Sequence, residues 1–133
     1  MPVRKITTPA VPEPPGGIFS NCLVVGDTVH ISGQHAGNPA GGLLGDGSAE
    51  DQARQTFRKI VALVEAAGGT AADIVKLTIY ALNMEDRAAI GRARKEFFSD
   101  PMPCSTFIGI NALVAPDLLL EIDAVAILGA GKP

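Results

Sequence analysis

The sequence predicts an α+β domain: a mixed β-sheet with two helices on one face, in the order β-β-β-α-β-α-β-β. Three observations lead there. Short runs rich in β-branched and apolar residues recur along the chain, two longer stretches repeat apolar residues with a helical period, and glycine or proline separates them. Helices that bury a single stripe belong on one face of a sheet, and something must cover the other face. The chain holds no further helix pattern, so a neighbouring subunit is the expected cover.

Val3 to Thr7 is a candidate edge strand, followed by the loop Pro9-Ala10-Val11-Pro12-Glu13-Pro14-Pro15-Gly16-Gly17, whose prolines leave little capacity for helix or ladder. Phe19 to Val25 and Thr28 to Ser32 flank Gly26-Asp27 and predict a hairpin. In the second run Val29 and Ile31 alternate with polar neighbours, the period of a half-buried strand. Residues 36–47 are glycine-rich and predict a long loop. Ser48 then stands at an N-cap, with Asp51 in the capping-box position. The first helix is predicted over Ala49 to Ala67, with Ala53, Phe57, Ile60, Val61, Val64 and Ala67 on one face, and Gly68-Gly69 end it.

Asp73 to Leu82 is dense in apolar and β-branched residues and predicts a central strand buried on both faces. Glu85 to Phe98 predicts the second helix, with Ile90, Ala93 and Phe97 inward and Asp100-Pro101-Met102-Pro103 as its stop. Ser105 to Asn111 and Leu118 to Leu128 are the last strands. In the final one Leu118, Leu120, Ile122, Ala124 and Ala126 share one face, and Glu121, Asp123, Val125 and Ile127 share the other.

With 133 residues, 47% hydrophobic and 19% charged, residues 1–133 suffice for one domain with a real core. A domain of this size buries only about 65–70% of its unfolded surface, which leaves apolar area for a subunit interface. The net charge of −3 and pI near 5.2 argue against nucleic-acid binding. The densest basic stretch, Arg87, Arg92, Arg94 and Lys95, is interrupted by Glu85, Asp86 and Glu96 and reads as a solvated helix face. Cys22 and Cys104 have neither CxxC spacing nor a histidine at ligand spacing, so neither zinc nor a disulfide framework is expected. The N-terminus does not read as a signal peptide, and no apolar run approaches the roughly 20 residues of a membrane span. The expectation is a cytoplasmic protein with no membrane partner.

Four segments carry a family resemblance: Ile31-Ser32-Gly33-Gln34; Ala53-Arg54-Gln55; Asp73-Ile74-Val75-Lys76-Leu77-Thr78-Ile79-Tyr80; and Leu119-Leu120-Glu121-Ile122-Asp123-Ala124-Val125-Ala126. In this order and spacing they resemble the reactive-intermediate-deaminase family, RidA or YjgF, over roughly residues 15 to 129. The resemblance implies a chorismate-mutase-like fold and a homotrimer with a cleft at each subunit boundary. It also implies that bound water hydrolyses an enamine or imine to a carbonyl and ammonia, with no metal and no organic cofactor.

The resemblance also locates a site. The family's deaminases grip the substrate carboxylate with an arginine just after the proline that opens the fifth strand. Here the segment is Pro103-Cys104-Ser105-Thr106-Phe107, so Ser105 takes that position, or Cys104 with a one-residue slip, and neither is charged. Phe19 stands where the family often has tyrosine, and Gly91 where its deaminases have asparagine. Glu121 matches the carboxylate that positions the attacking water; alternatively it is a rim glutamate bonded to backbone. Gly33 matches a close-approach glycine; alternatively it turns a strand end. Gln34 reads as structural. Asp123 shares the face of Glu121 and either couples to it or points outward. His35 follows the motif and is either an added acid/base or a solvated loop residue. Cys104 is a nucleophile candidate without an assigned base, or a small buried thiol. Phe107 and Asn111 complete the substrate-binding candidates, Asn111 if it shares the side of Ser105. The expected activity is imine or enamine hydrolysis with an altered substrate class, lacking the usual α-carboxylate; the alternative is a non-catalytic trimeric ligand-binding or regulatory protein. RNA cleavage, which some names in the family suggest, is disfavoured by the acidic charge balance.

Overall fold

A computed structural model of the chain describes residues 1–132. Its strands are β1 (Val3–Ile6), β2 (Cys22–Val25), β3 (Thr28–Gln34), β4 (Ile74–Ala81), β5 (Cys104–Gly109) and β6 (Leu120–Ile127); its helices are α1 (Ala49–Ala66) and α2 (Arg87–Arg94). Their sequence matches the predicted order of elements. The six strands form one sheet in the order β1-β2-β3-β6-β4-β5. The β4–β5 pair is parallel, with α2 as its crossover, and the β1–β2, β2–β3, β3–β6 and β4–β6 pairs are antiparallel.

Local chemistry accounts for the elements. At the β2–β3 turn Gly26 adopts φ 61°, a conformation glycine enters without a Cβ penalty. Ser48 caps α1 by accepting from the Asp51 N–H at 3.2 Å. Asp51 does not close the expected box, because its carboxylate accepts from the Asp46 N–H at 2.9 Å instead. The inward face of α1 is Gln52, Ala53, Thr56, Phe57, Ile60, Leu63 and Val64. The second helix is shorter than predicted. A 3-10 turn over Met84–Asp86 precedes it, and helical backbone ends at Arg94. Phe97 and Phe98 prolong the apolar pattern beyond that end and pack on Phe57, each with its ring 5.5 Å from that of Phe57.

One core fills the space between helices and sheet. It includes Val24, Val29, Leu77, Ile79, Leu120 and Ile122 from the strands and Phe57, Ile60 and Ile90 from the helices. Truncating one of the large ones to alanine costs about 2–5 kcal/mol. The two faces of β4 differ, contrary to the expectation of burial on both. Leu77, Ile79 and Ala81 are buried under the helices, whereas Lys76, Thr78 and Tyr80 are half-buried on the other face. Among the described residues no element packs a second layer there, and β6 alternates in the same way.

Candidate active site

Glu121 enters as the second residue of β6, directly opposite Tyr80 of β4 and so on the face away from the helices. Its carboxylate lies across Gly33 of β3. A Cβ at residue 33 would stand 1.9 Å from Glu121 Oε1 and 2.7 Å from Cδ. Any side chain at 33 would therefore displace the carboxylate. The β3–β6 register shifts between Ile31 and Gln34, so Ser32 and Gly33 sit at an irregularity of the kind that re-aims groups beside functional sites. Gln34 is buried, and its amide donates to the Ser32 carbonyl at 3.1 Å across that irregularity, a structural role.

Burial first, and then the negative charge of Asp123, push the Glu121 carboxyl above the ordinary carboxylate range. Asp123 is held in turn: the Tyr80 hydroxyl donates to it at 2.9 Å. That bond, with burial and the two nearby carboxylates, pushes the Tyr80 phenol up, so it stays a donor.

Around Glu121 and Gly33 opens a cavity of about 640 Å³, bordered by Phe19, His35, Lys59 and the loop from Val11 to Pro15. His35 Nδ1 accepts from the Gly37 N–H at 3.0 Å, so the neutral ring carries its proton on Nε2. Burial, then the Lys59 charge, push the imidazole below its ordinary value and favour that neutral form. Lys59 donates to the carbonyls of His35 and Gly37 at 2.7 and 2.8 Å and ties this loop to α1; burial lowers its pKa. The buried Asn21 amide pins the proline-rich loop by donating to the Val11 and Pro12 carbonyls at 3.3 and 3.1 Å. Lys59, Asn21 and Glu13, which also borders the cavity, are residues that sequence reasoning missed. Their partners lie eight or more positions away, and no local pattern announces them.

The candidates on and after β5 lie elsewhere. Ser105 pairs with the buried Leu77 and Phe107 with the buried Ile79, so both face the helices. Phe107 packs against the core, and Ser105 Oγ accepts from Arg94 Nη1 of α2 at 3.2 Å. Cys104 pairs with Lys76 and faces the Glu121 side, and its thiol is exposed rather than buried. Asn111 lies beyond the end of β5, exposed. None of these four borders the cavity over Glu121. Cys22 is the buried thiol, pushed up to about 11 by burial and then by the Glu13 charge, and is inert at neutral pH. Among the described residues no cluster of three His, Cys, Asp or Glu could hold a metal, and no helix is long and apolar enough to cross a membrane.

Comparisons with known proteins identify the family. The family model described as Endoribonuclease L-PSP matches residues 11–128. A 2-iminobutanoate/2-iminopropanoate deaminase of Dermatophagoides farinae is 35% identical, covering 96% of this chain and 98% of the relative. A RutC family protein of Pyrococcus horikoshii is 33% identical, covering 91% and 94%. Among solved structures, a Pseudomonas aeruginosa protein of unknown function superposes with TM-score 0.86 at 41% identity, covering 96% of this chain and 94% of that one. RidA from an Antarctic Psychrobacter superposes with TM-score 0.82 at 30% identity, covering 94% and 99%. The chain belongs to the RidA/YjgF family, the family of the Endoribonuclease L-PSP model.

Proposed function

We propose that the protein hydrolyses small enamines or imines to a carbonyl compound and ammonia, using only its own side chains. The observation that carries this reading is the Glu121 carboxylate, half-buried, raised in pKa and laid across Gly33 at the floor of a cavity. Such a group exchanges a proton near neutral pH far more readily than a solvated carboxylate. In the step it would perform, water attacks the imine carbon and the C=N electron pair moves to nitrogen. Glu121 accepts one water proton and passes it to the nitrogen as the carbinolamine forms; it then takes the carbinolamine hydroxyl proton and passes that to the nitrogen, which leaves as ammonia while the carbonyl closes. Imine hydrolysis is also the chemistry in the names of curated relatives from Dermatophagoides farinae and Bos taurus.

The substrate class departs from that of the arginine-bearing members, because Ser105 brings no charge from β5. The site is completed across a subunit boundary in a homotrimer, and two observations support this. Ser105 and Glu121 lie on opposite faces of one sheet, and β4 separates their strands, so they meet only between chains. Phe19 and Val114 stay 49% and 80% exposed at the cavity although both are large and apolar, as residues at an interface rim do. A cytoplasmic setting, a small-molecule partner and no tie to nucleic acid or membrane fit the acidic balance and the two free thiols.

The test is a panel of imines generated in situ by amino-acid and amine oxidases, read as the acceleration of ammonia release. It includes 2-iminopropanoate, 2-iminobutanoate, bulkier imino acids and carboxylate-free imines. Turnover with a preference away from 2-iminopropanoate is expected. Turnover of that substrate at rates typical of arginine-bearing members would overturn the altered class. No turnover on any imine by the folded protein would overturn the enzymatic reading in favour of a ligand-binding module.

A further inference from the structure

A second cavity, of about 630 Å³, opens on the opposite side of the sheet from Glu121 and is bordered by Arg87, Gly91, Arg94, Lys95, Met102 and Glu85. Arg87 and Lys95 are exposed, as on an ordinary solvated helix face, but Arg94 is part-buried. Arg92 is paired with Glu50 at 2.6 Å, but among the described residues no carboxylate lies within ion-pair distance of Arg87, Arg94 or Lys95. Arg94 is the least satisfied of them. Its guanidinium makes one hydrogen bond, from Nη1 to Ser105 Oγ at 3.2 Å, and its Nε is buried without an acceptor. A buried charged donor with no partner is costly, and native structures seldom leave one.

The same protein shows what that edge of a guanidinium accepts. Arg54 presents Nε and Nη2 to Glu96 at 2.8 and 2.7 Å, a bidentate pair, while its Nη1 holds Asp51 at 2.8 Å. Arg94 repeats half of this arrangement: Nη1 is anchored by Ser105, and the Nε/Nη2 edge has no carboxylate. The cavity is open beside the helix. Gly91 faces open space where a Cβ would stand, and Ser105 is small. Burial first, and then the positive charge of Arg87, make the Arg94 cation harder to hold alone.

We propose that Arg94 is the anion anchor of the substrate site: the positive charge absent from position 105 is supplied from α2, and Ser105 orients it to clamp a small carboxylate. This deepens the deaminase reading and rests on it for the reaction, though not for the binding. This replaces the expectation of a substrate without an α-carboxylate by one whose carboxylate is met by the helix rather than by the strand. Arg94 would act there together with Glu121 of a neighbouring copy. Ser105 becomes a positioning residue rather than a mere loss of charge.

The experiment is calorimetric titration of 2-oxobutanoate, with butanone as the carboxylate-free control. It compares the wild-type protein with Arg94→Ala, Arg94→Lys and the double variant Arg94→Ala/Ser105→Arg, each checked for fold by thermal melting. The wild type is expected to bind the oxo acid and not the ketone. Arg94→Ala should raise the dissociation constant about tenfold or more, as loss of a charge-assisted pair does. Arg94→Lys should retain part of the affinity, and Ser105→Arg should restore it in the alanine background. In the imine assay the same substitution should raise KM for carboxylate-bearing imines more than it lowers kcat. An unchanged dissociation constant in folded Arg94→Ala and Arg94→Lys, or no oxo-acid binding by the wild type, would overturn the proposal. Binding that depends on Arg94 without turnover of any imine would refute the deaminase reading alone and leave the anion site standing.

Discussion

Replacing Gly33 with alanine separates the site from the fold. The added methyl would stand 1.9 Å from Glu121 Oε1, so the oxygen must move by about 1.4 Å to reach an ordinary carbon–oxygen contact. The obstructing atom is the end of a flexible side chain, which can swing aside at little cost. Gly33 does not have positive φ, so alanine fits its backbone. Removing a glycine also restricts the unfolded chain, which favours the folded state by about 0.4–1 kcal/mol where the conformation is compatible. The melting temperature should therefore stay within a few degrees of wild type. Activity should not survive in the same way, because a misplacement of about 1 Å at a reacting centre costs about 10²-fold. The assay is kcat/KM for imine hydrolysis beside a thermal melt of the same preparation. Activity within about twofold of wild type would refute the argument that the carboxylate works from its place over Gly33. An unfolded variant would show instead that the glycine serves the backbone of β3.

Other substitutions test the surrounding structure. Glu121→Gln should raise the melting temperature at pH 7: the raised carboxyl pKa means the folded state opposes ionisation, so the wild type loses stability as pH rises through that pKa. The advantage of the variant should shrink as pH falls toward the ordinary glutamate value, and a pH series of melts reads it. Gln52→Leu should cost about 2–4 kcal/mol in urea unfolding. The buried Gln52 amide donates to the Gly47 and Asp117 carbonyls at 3.2 and 3.0 Å and accepts from the Leu119 N–H at 2.9 Å, two residues before Glu121. Asp73→Asn should cost about 1–3 kcal/mol at pH 7. Although burial opposes it, donation from the backbone of Gly131, Thr70 and Gly129 holds the Asp73 carboxyl below its ordinary range. That stability is present above the unfolded-state value near 4 and is lost as pH falls through the folded one, so acid melts of the two proteins should converge.

The order of elements was legible because each strand and helix carries its own period. Alternation on Val29 and Ile31 and on Leu120 through Ala126 predicted the buried face of β3 and β6, and both alternate as expected. The end of α2 was not legible, because Phe97 and Phe98 extend an apolar pattern that the structure satisfies with an aromatic cluster rather than more helix. Gly33 and Glu121 were found together through the family resemblance, and their contact spans two strands that no local signal links. The face of each β5 residue depends on register against β4: one step divides Ser105 and Phe107 from Cys104. Arg94 read as one of several solvated cations, since only the fold brings it to Ser105.

The most direct test of the central claim is the rate of ammonia release from imines generated in situ, compared between the wild-type protein and Glu121→Gln at neutral pH. The substitution keeps the shape of the side chain but cannot take a proton from water. Turnover by the wild type and a loss of about 10²-fold or more in the variant is the expected result. Equal rates in the two proteins, with both folded, would contradict the assignment of Glu121 as the group that handles the attacking water.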